Sequence, residues 1–158
     1  LIPGIVVEVP ATAIMAEKFM REGDFCSIGT NDLIQYTMAA DRLSADLFEL
    51  TDPWQPAGLR LINTVVQAAK KCGKPVSICG ESASDPYLAQ VFVGMGVDSL
   101  SMAPNAVPEV GVALEKWNMR HYQDLAQEVL KAEGAHHARR IASDYFAQLK
   151  DMEDRMED

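Results

Sequence analysis

Four short apolar runs alternate with segments of helical spacing, and this alternation limits the possible folds more than any other feature of the chain. The runs are GIVVEV (4–9), DFCSIG (24–29), PVSICG (75–80) and VDSLSM (97–102). Each has the length and β-branched content of a strand. Between them, ATAIMAEKFMRE (11–22), NDLIQYTMAA (31–40), AGLRLINTVVQAAKKCG (57–73) and DPYLAQVFVGMG (85–96) read as helices. Leu59, Ile62, Val66 and Ala69 share one helical face, Gly23 and Gly73 stand where helices stop, and Pro86 stands near a helix start. A further helix is expected from about Pro104. Two more are expected in the tail, where the apolar residues fall at Leu125, Val129, Ile141, Tyr145 and Leu149. The final EDRMED is expected to fray. Strand and helix in repeated succession imply an α/β fold with a parallel sheet covered by helices. DRLSADLFELTDPWQP (41–56) is a long, irregular connection, and such connections in compact domains are often functional.

Composition excludes several classes. The chain has 158 residues, enough for one domain with a core, and 48% of them are hydrophobic, which excludes disorder as the main state. A net charge of −9 argues against nucleic acid or an anionic membrane as partner, so any phosphate chemistry needs local cations or a metal ion. Cys26, Cys72 and Cys79 lack metal-ligand spacing, and their odd number suggests reduced thiols and a cytoplasmic location. No apolar run reaches membrane-spanning length and no signal peptide is visible. The chain opens on Leu1 and enters a strand almost at once, as a fragment would.

Polar residues gather just after the strands: Glu8, then Asn31 and Asp32, then Cys79 and Glu81. In parallel α/β folds, ligands bind at those carboxyl ends. Two readings stay open for each residue. Asn31 and Asp32 either cap the following helix or form a site. Glu8 is either a loop acid or, with Asp32, one of two carboxylates at adjacent strand ends able to hold a magnesium ion. Arg42 either pairs with Asp41 on the surface or contacts an anion. Cys79 is either a buried packing residue or a reactive thiol. Cys26 and Cys72 read as packing residues.

GIVVEVP, DFCSIGTNDLIQYTMAADR, KPVSICGESASD and GVDSLSM, in that order, resemble the carboxyl-terminal half of the phosphoenolpyruvate-binding barrel of phosphoenolpyruvate-utilising enzymes. SIGTNDL followed by QYT and DR is most similar to enzyme I of the bacterial sugar phosphotransferase system. Pyruvate phosphate dikinase and phosphoenolpyruvate synthase share GTND but usually differ after it. The resemblance implies that residues 1–120 form strands five to eight of a (β/α)8 TIM barrel, and 121–158 a helical extension. It implies Mg2+ on Glu8 and Asp32, and phosphate contacts from Asn31, Asp32 and Arg42. Cys79 would be the acid that protonates the enolate carbon of pyruvate; a free thiol, with a pKa of about 8.5, suits that task. Glu81 would orient its neighbours. The implied partners are phosphoenolpyruvate and pyruvate, the first half of the barrel, a phosphohistidine domain and a phosphocarrier protein.

SICGESASD departs from the family's more usual CGEMAGD, and the changes at Ser82 and Ser84 are expected to alter the loop without touching the thiol. His121, His136 and His137 match no phosphohistidine motif and are expected at the surface. Half a barrel would leave open sheet edges and an exposed apolar interior face; Ile5, Val7, Ile28, Val76 and Ile78 are strand residues that can contribute to either face. A homodimer is the expected remedy. The alternative to an enzyme piece is a catalytically inert assembly module.

Overall fold

The computed structural model describes residues 1–41 and 43–157, so the expected phosphate ligand Arg42 lies outside the described residues. Strands β1 (Gly4–Val7), β2 (Phe25–Gly29), β3 (Val76–Cys79) and β4 (Ser99–Ser101) form one parallel sheet in that same order. Its register sets Val7 beside Ile28, Ile28 beside Ile78, and Ile78 beside Leu100. The helices are α1 (Pro10–Ile14), α2 (Ala16–Glu22), α3 (Thr30–Met38), α4 (Pro56–Cys72), α5 (Pro86–Met95), α6 (Val107–Glu115), α7 (Met119–Val129) and α8 (Ala135–Glu157). Short 3-10 turns occupy Ala45–Thr51 and Glu81–Ser84.

Because side chains alternate along a strand, the register divides the sheet into two faces. Val7, Cys26, Ile28, Val76 and Ile78 point under the helices and are buried, with Ile5 and Leu100 packed against them. They meet Leu59, Ile62, Val65 and Val66 of α4, and Leu88, Val91 and Phe92 of α5, in one continuous core. Each such side chain contributes about 1.5–3 kcal/mol on burial. The other face carries Val6, Ser27, Ser77 and Ser99 in one row, then Gly29, Cys79 and Ser101 in the next. Apart from Val6 and Phe25, the apolar strand residues therefore serve the helix side, and the expected exposed apolar face is instead built largely from serine. Val6, 58% exposed, is its main aliphatic residue.

Other expectations need correction. The helix read over 11–22 breaks at Met15, whose φ of −96° and ψ of 15° leave the helical well. The break lets α1 and α2 each bury their small residues, Ala13 and Ala16, while Ile14 and Met15 stay exposed. Helix α6 begins at Val107 rather than near Pro104, with proline in its first turn. The carboxyl-terminal residues continue α8 to Glu157 instead of fraying. Of the histidines, His136 is exposed, whereas His121 and His137 are partly buried, and His121 sets its ring edge-on to Trp117 at 5.8 Å. No described helix is long and apolar enough to cross a membrane.

The tail is anchored to the α/β body. Helix α7 buries Tyr122, Leu125, Ala126 and Val129. Arg60 on α4 donates from Nε to the Leu130 carbonyl (3.1 Å) and from Nη2 to the Ala132 carbonyl (3.0 Å), fixing the turn that leads into α8.

Candidate active site

The sheet brings Glu8, Asn31, Asp32, Cys79 and Glu81 to its carboxyl end, because each follows or ends a strand of one parallel set. Two glycines clear the space between them. At Gly29 a methyl group would stand 2.6 Å from Glu8 Cγ and 2.7 Å from Glu8 Oε1, so the Glu8 side chain lies directly over that residue. Gly29 pairs in register with Cys79. At Gly80, whose φ of 117° and ψ of 175° suit only glycine, a methyl group would meet Thr30 Oγ1 at 2.7 Å and Asn31 Oδ1 at 3.1 Å. The β2 end thus reaches across to Glu8 on one side and to the residue after Cys79 on the other.

The cap of α3 is Gly29, with Thr30, Asn31 and Asp32 forming the first turn. Neither Asn31 nor Asp32 occupies the cap position, which removes the simplest structural reading of that pair. The backbone N–H groups of this first turn face the strand ends, where a helix amino terminus favours an anion.

The Cys79 thiol is partly buried between two strands. Ser27 Oγ donates to Cys79 Sγ at 3.4 Å, and the thiol donates to the Ile28 carbonyl, also at 3.4 Å. Thr30, fully buried, donates to the Cys79 carbonyl (3.2 Å) and shares a hydrogen bond with buried Ser82 (2.6 Å). Ser82 leaves the sulfur untouched, as expected, but it is tied through Thr30 to the backbone of the cysteine. Sequence reading gave Ser27, Thr30 and Ser82 no role. The one available signal was that each is a small hydroxyl residue within three positions of a strand end. Cys26 behaves differently: burial, with a smaller contribution from Asp98, pushes its pKa up to about 11, as befits a packing residue. Cys72 is partly buried, its sulfur 3.9 Å from the Glu17 carbonyl.

Beside this cluster lies a cleft of about 720 Å³. Asn31 and Ile34 of α3 form one wall, Glu81, Ser82 and Asp85 another, and Leu43, Phe48 and Thr51–Pro53 of the long connection a third. Arg139 of α8 completes it. Sequence reading missed Arg139, since no local pattern links a tail helix to a strand end. Glu8, Asp32 and Cys79 are not among the lining residues; Glu8 is exposed. Among the described residues no three His, Cys, Asp or Glu side chains cluster to hold a metal. Glu8 and Asp32 follow adjacent strands, and carboxylates are donors suited to magnesium, which takes one or two of them and completes its shell with substrate oxygens and water.

Residues 2–119 match the family described as "PEP-utilising enzyme, PEP-binding domain". Among curated relatives, the phosphoenolpyruvate-protein phosphotransferase of Streptomyces coelicolor is 44% identical over 139 residues, covering 88% of this chain and 25% of the relative. The protein of the same name from Haloferax volcanii is 48% identical over 130 residues, covering 82% and 23%. That from Bacillus subtilis is 42% identical over 127 residues, covering 80% and 22%. The chain therefore spans about a quarter or less of the length of these relatives. With its parallel sheet, its polar strand ends and this match, the chain belongs to the family of phosphoenolpyruvate-utilising enzymes, in its phosphoenolpyruvate-binding domain.

Proposed function

We propose that this chain supplies the magnesium and phosphoenolpyruvate site of a phosphoenolpyruvate–protein phosphotransferase, an enzyme I, and that its strands are five to eight of a (β/α)8 barrel. The observation that carries the reading is the convergence at Gly29 and Gly80, where Glu8, Asn31 and the Cys79 segment meet at one end of the sheet. Strands in sequence order with most apolar residues on one face favour a barrel segment; a doubly wound sheet reverses its order and needs helices on both faces.

In this reading Glu8 and Asp32 hold Mg2+, which when bound offsets charge on the phosphoryl group and the enolate oxygen. The Asn31 amide and the first-turn N–H groups of α3 bind the phosphate, joined by Arg42. Transfer breaks the bond between phosphorus and the enol oxygen, and the phosphoryl group passes to a histidine on another domain. The enolate left behind takes a proton at carbon from the Cys79 thiol, giving pyruvate and a thiolate that must be reprotonated. Ser27 and the Ile28 carbonyl hold that sulfur in place. Glu81 orients neighbouring side chains. In the intact system, in the cytoplasm, the first barrel half supplies further cations and the phosphoryl group goes on to a phosphocarrier protein for sugar uptake.

A second reading, an inert association module, is favoured by the exposure of Leu43 (88%) and Phe48 (74%) on the long connection, which suits a homodimer contact. Calorimetry separates the two. The expected result is phosphoenolpyruvate binding that requires Mg2+ and is lost in Asp32→Asn. A chain that dimerises but binds neither ligand is the association module. Onward transfer of the phosphoryl group from the intact protein to a phosphocarrier protein, and not to a nucleotide, separates the first reading from the second and from a dikinase or synthase relative.

A further inference from the structure

Asp52 closes a chain of contacts that crosses the cleft. Arg139 Nη2 donates to both Asp52 carboxylate oxygens at 3.1 Å, although the two residues are 87 positions apart. Asp52 Oδ1 also accepts the Trp54 backbone N–H at 2.9 Å. The guanidinium stands 5.7 Å from the centre of the fully buried Trp54 ring. The Trp54 indole N–H donates to Asp85 Oδ2 at 3.1 Å. Asp85 in turn caps α5 through the N–H groups of Tyr87 (2.9 Å) and Leu88 (3.2 Å). One surface ion pair holds little by itself. Here the acid is only 18% exposed and serves a turn as well, and the guanidinium sits over the buried Trp54 ring. The base is fixed from behind, because Arg60 clamps the turn that starts α8.

We propose that Arg139 is a positioning residue for the phosphoenolpyruvate site: from the tail helix it holds Asp52 and so fixes residues 43–55 of the connection as a wall of the cleft that Asn31 and Glu81 line. The proposal rests on the reading of the site given above. Its mechanical part does not, because the connection is held whether or not a ligand is present. Arg139 already engages Asp52, so its role runs through that acid and not through an anionic substrate. The long connection joins α3, whose first turn bears Asn31 and Asp32, to α4, and Arg42 lies on it in sequence.

The test uses the 158-residue chain and two readouts. Chymotrypsin cleavage at Leu43, Phe48 and Leu50, mapped by mass, reports the connection; titration with phosphoenolpyruvate and Mg2+ reports the site. Arg139→Ala is expected to speed cleavage there about tenfold with little change in thermal midpoint, because a half-exposed pair adds little to global stability. Arg139→Lys, which keeps the charge, is expected to restore most of the protection. Asp52→Asn is expected to match Arg139→Ala, and the double variant to add nothing. Where the unaltered chain binds phosphoenolpyruvate, Arg139→Ala and Asp52→Asn are expected to weaken binding alike, by about threefold to tenfold. Unchanged cleavage in Arg139→Ala overturns the proposal, as does a uniform rise across the whole chain. Weaker binding in Arg139→Ala but tighter binding in Asp52→Asn also overturns it, and makes the guanidinium a direct ligand. A chain that binds no phosphoenolpyruvate but shows the cleavage pattern contradicts the site reading and leaves the clasp standing.

Discussion

Replacing Gly29 by alanine separates the site from the fold. The new methyl group would lie 2.6 Å from Glu8 Cγ, against about 3.5–4.0 Å for carbon atoms in normal contact, so Glu8 must move by about 1 Å. Glu8 is exposed and can swing into solvent, and the backbone at Gly29 (φ −83°, ψ 89°) lies outside the region reserved for glycine. The smaller unfolded-state entropy of alanine partly offsets any strain, so the stability change is expected to stay within about 1 kcal/mol. In the proposed site, displacing Glu8 by about 1 Å is expected to weaken Mg2+-dependent phosphoenolpyruvate binding at least tenfold, about 1.4 kcal/mol. Gly80→Ala is the contrasting control. Its φ of 117° and ψ of 175° cost a side chain about 1–3 kcal/mol. Its methyl group would also strike buried Thr30, whose hydrogen bonds to Cys79 and Ser82 are worth about 1 kcal/mol each. The expected loss is about 2–5 kcal/mol, or about 5–15 °C in thermal midpoint for a chain of this size. The assays are calorimetric titration and thermal unfolding of both variants. Gly29→Ala with unchanged binding would show that Glu8 does not act from its place over Gly29. Gly29→Ala as unstable as Gly80→Ala would contradict the local geometry itself.

Other perturbations have equally definite outcomes. Cys26 keeps its proton in the fold up to about pH 11 but loses it near pH 9 when unfolded. The folded chain then holds more protons than the unfolded chain between those values, so stability is fully present below about pH 9 and falls as pH rises to 11. Cys26→Ala should flatten that slope in denaturant melts, and an unchanged slope would assign it to other groups. Ile78→Ala empties a fully buried core position and is expected to cost about 2–5 kcal/mol by denaturant unfolding, whereas Ser77→Ala, on the opposite face, is expected to cost less than 1. Exchange of pyruvate methyl protons into deuterated buffer, followed by NMR with Mg2+ present, should depend on Cys79 and vanish in Cys79→Ala; equal exchange would remove the acid role.

The strands, their parallel order and the end of the sheet that gathers polar residues were legible because each rests on local signals. Strand-length apolar runs, intervening helices and the placing of Glu8, Asn31 and Cys79 after strands are all short-range. Which sheet face each residue takes was not legible: Ile28 and Ser27 are neighbours, and only the packing of α4 and α5 decides that Ile28 turns inward. The break at Met15 was also hidden, since apolar spacing continues through it. Contacts spanning many residues left no trace in the pattern. Thr30 and Ser82 are 52 residues apart, and Arg139 reaches Asp52 from a tail that reads only as amphipathic helix.

Alkylation of Cys79 with and without phosphoenolpyruvate and Mg2+, followed peptide by peptide, tests the central claim most directly. Cys79 and Cys72 are both partly buried free thiols, and Cys72 lies on α4, away from the strand ends, so each chain carries its own control. The expected result is that ligand and metal together slow modification of Cys79 several-fold and leave Cys72 unchanged, while either alone has little effect. Equal rates at Cys79 with and without saturating ligand and metal would contradict a phosphoenolpyruvate site at the carboxyl end of this sheet.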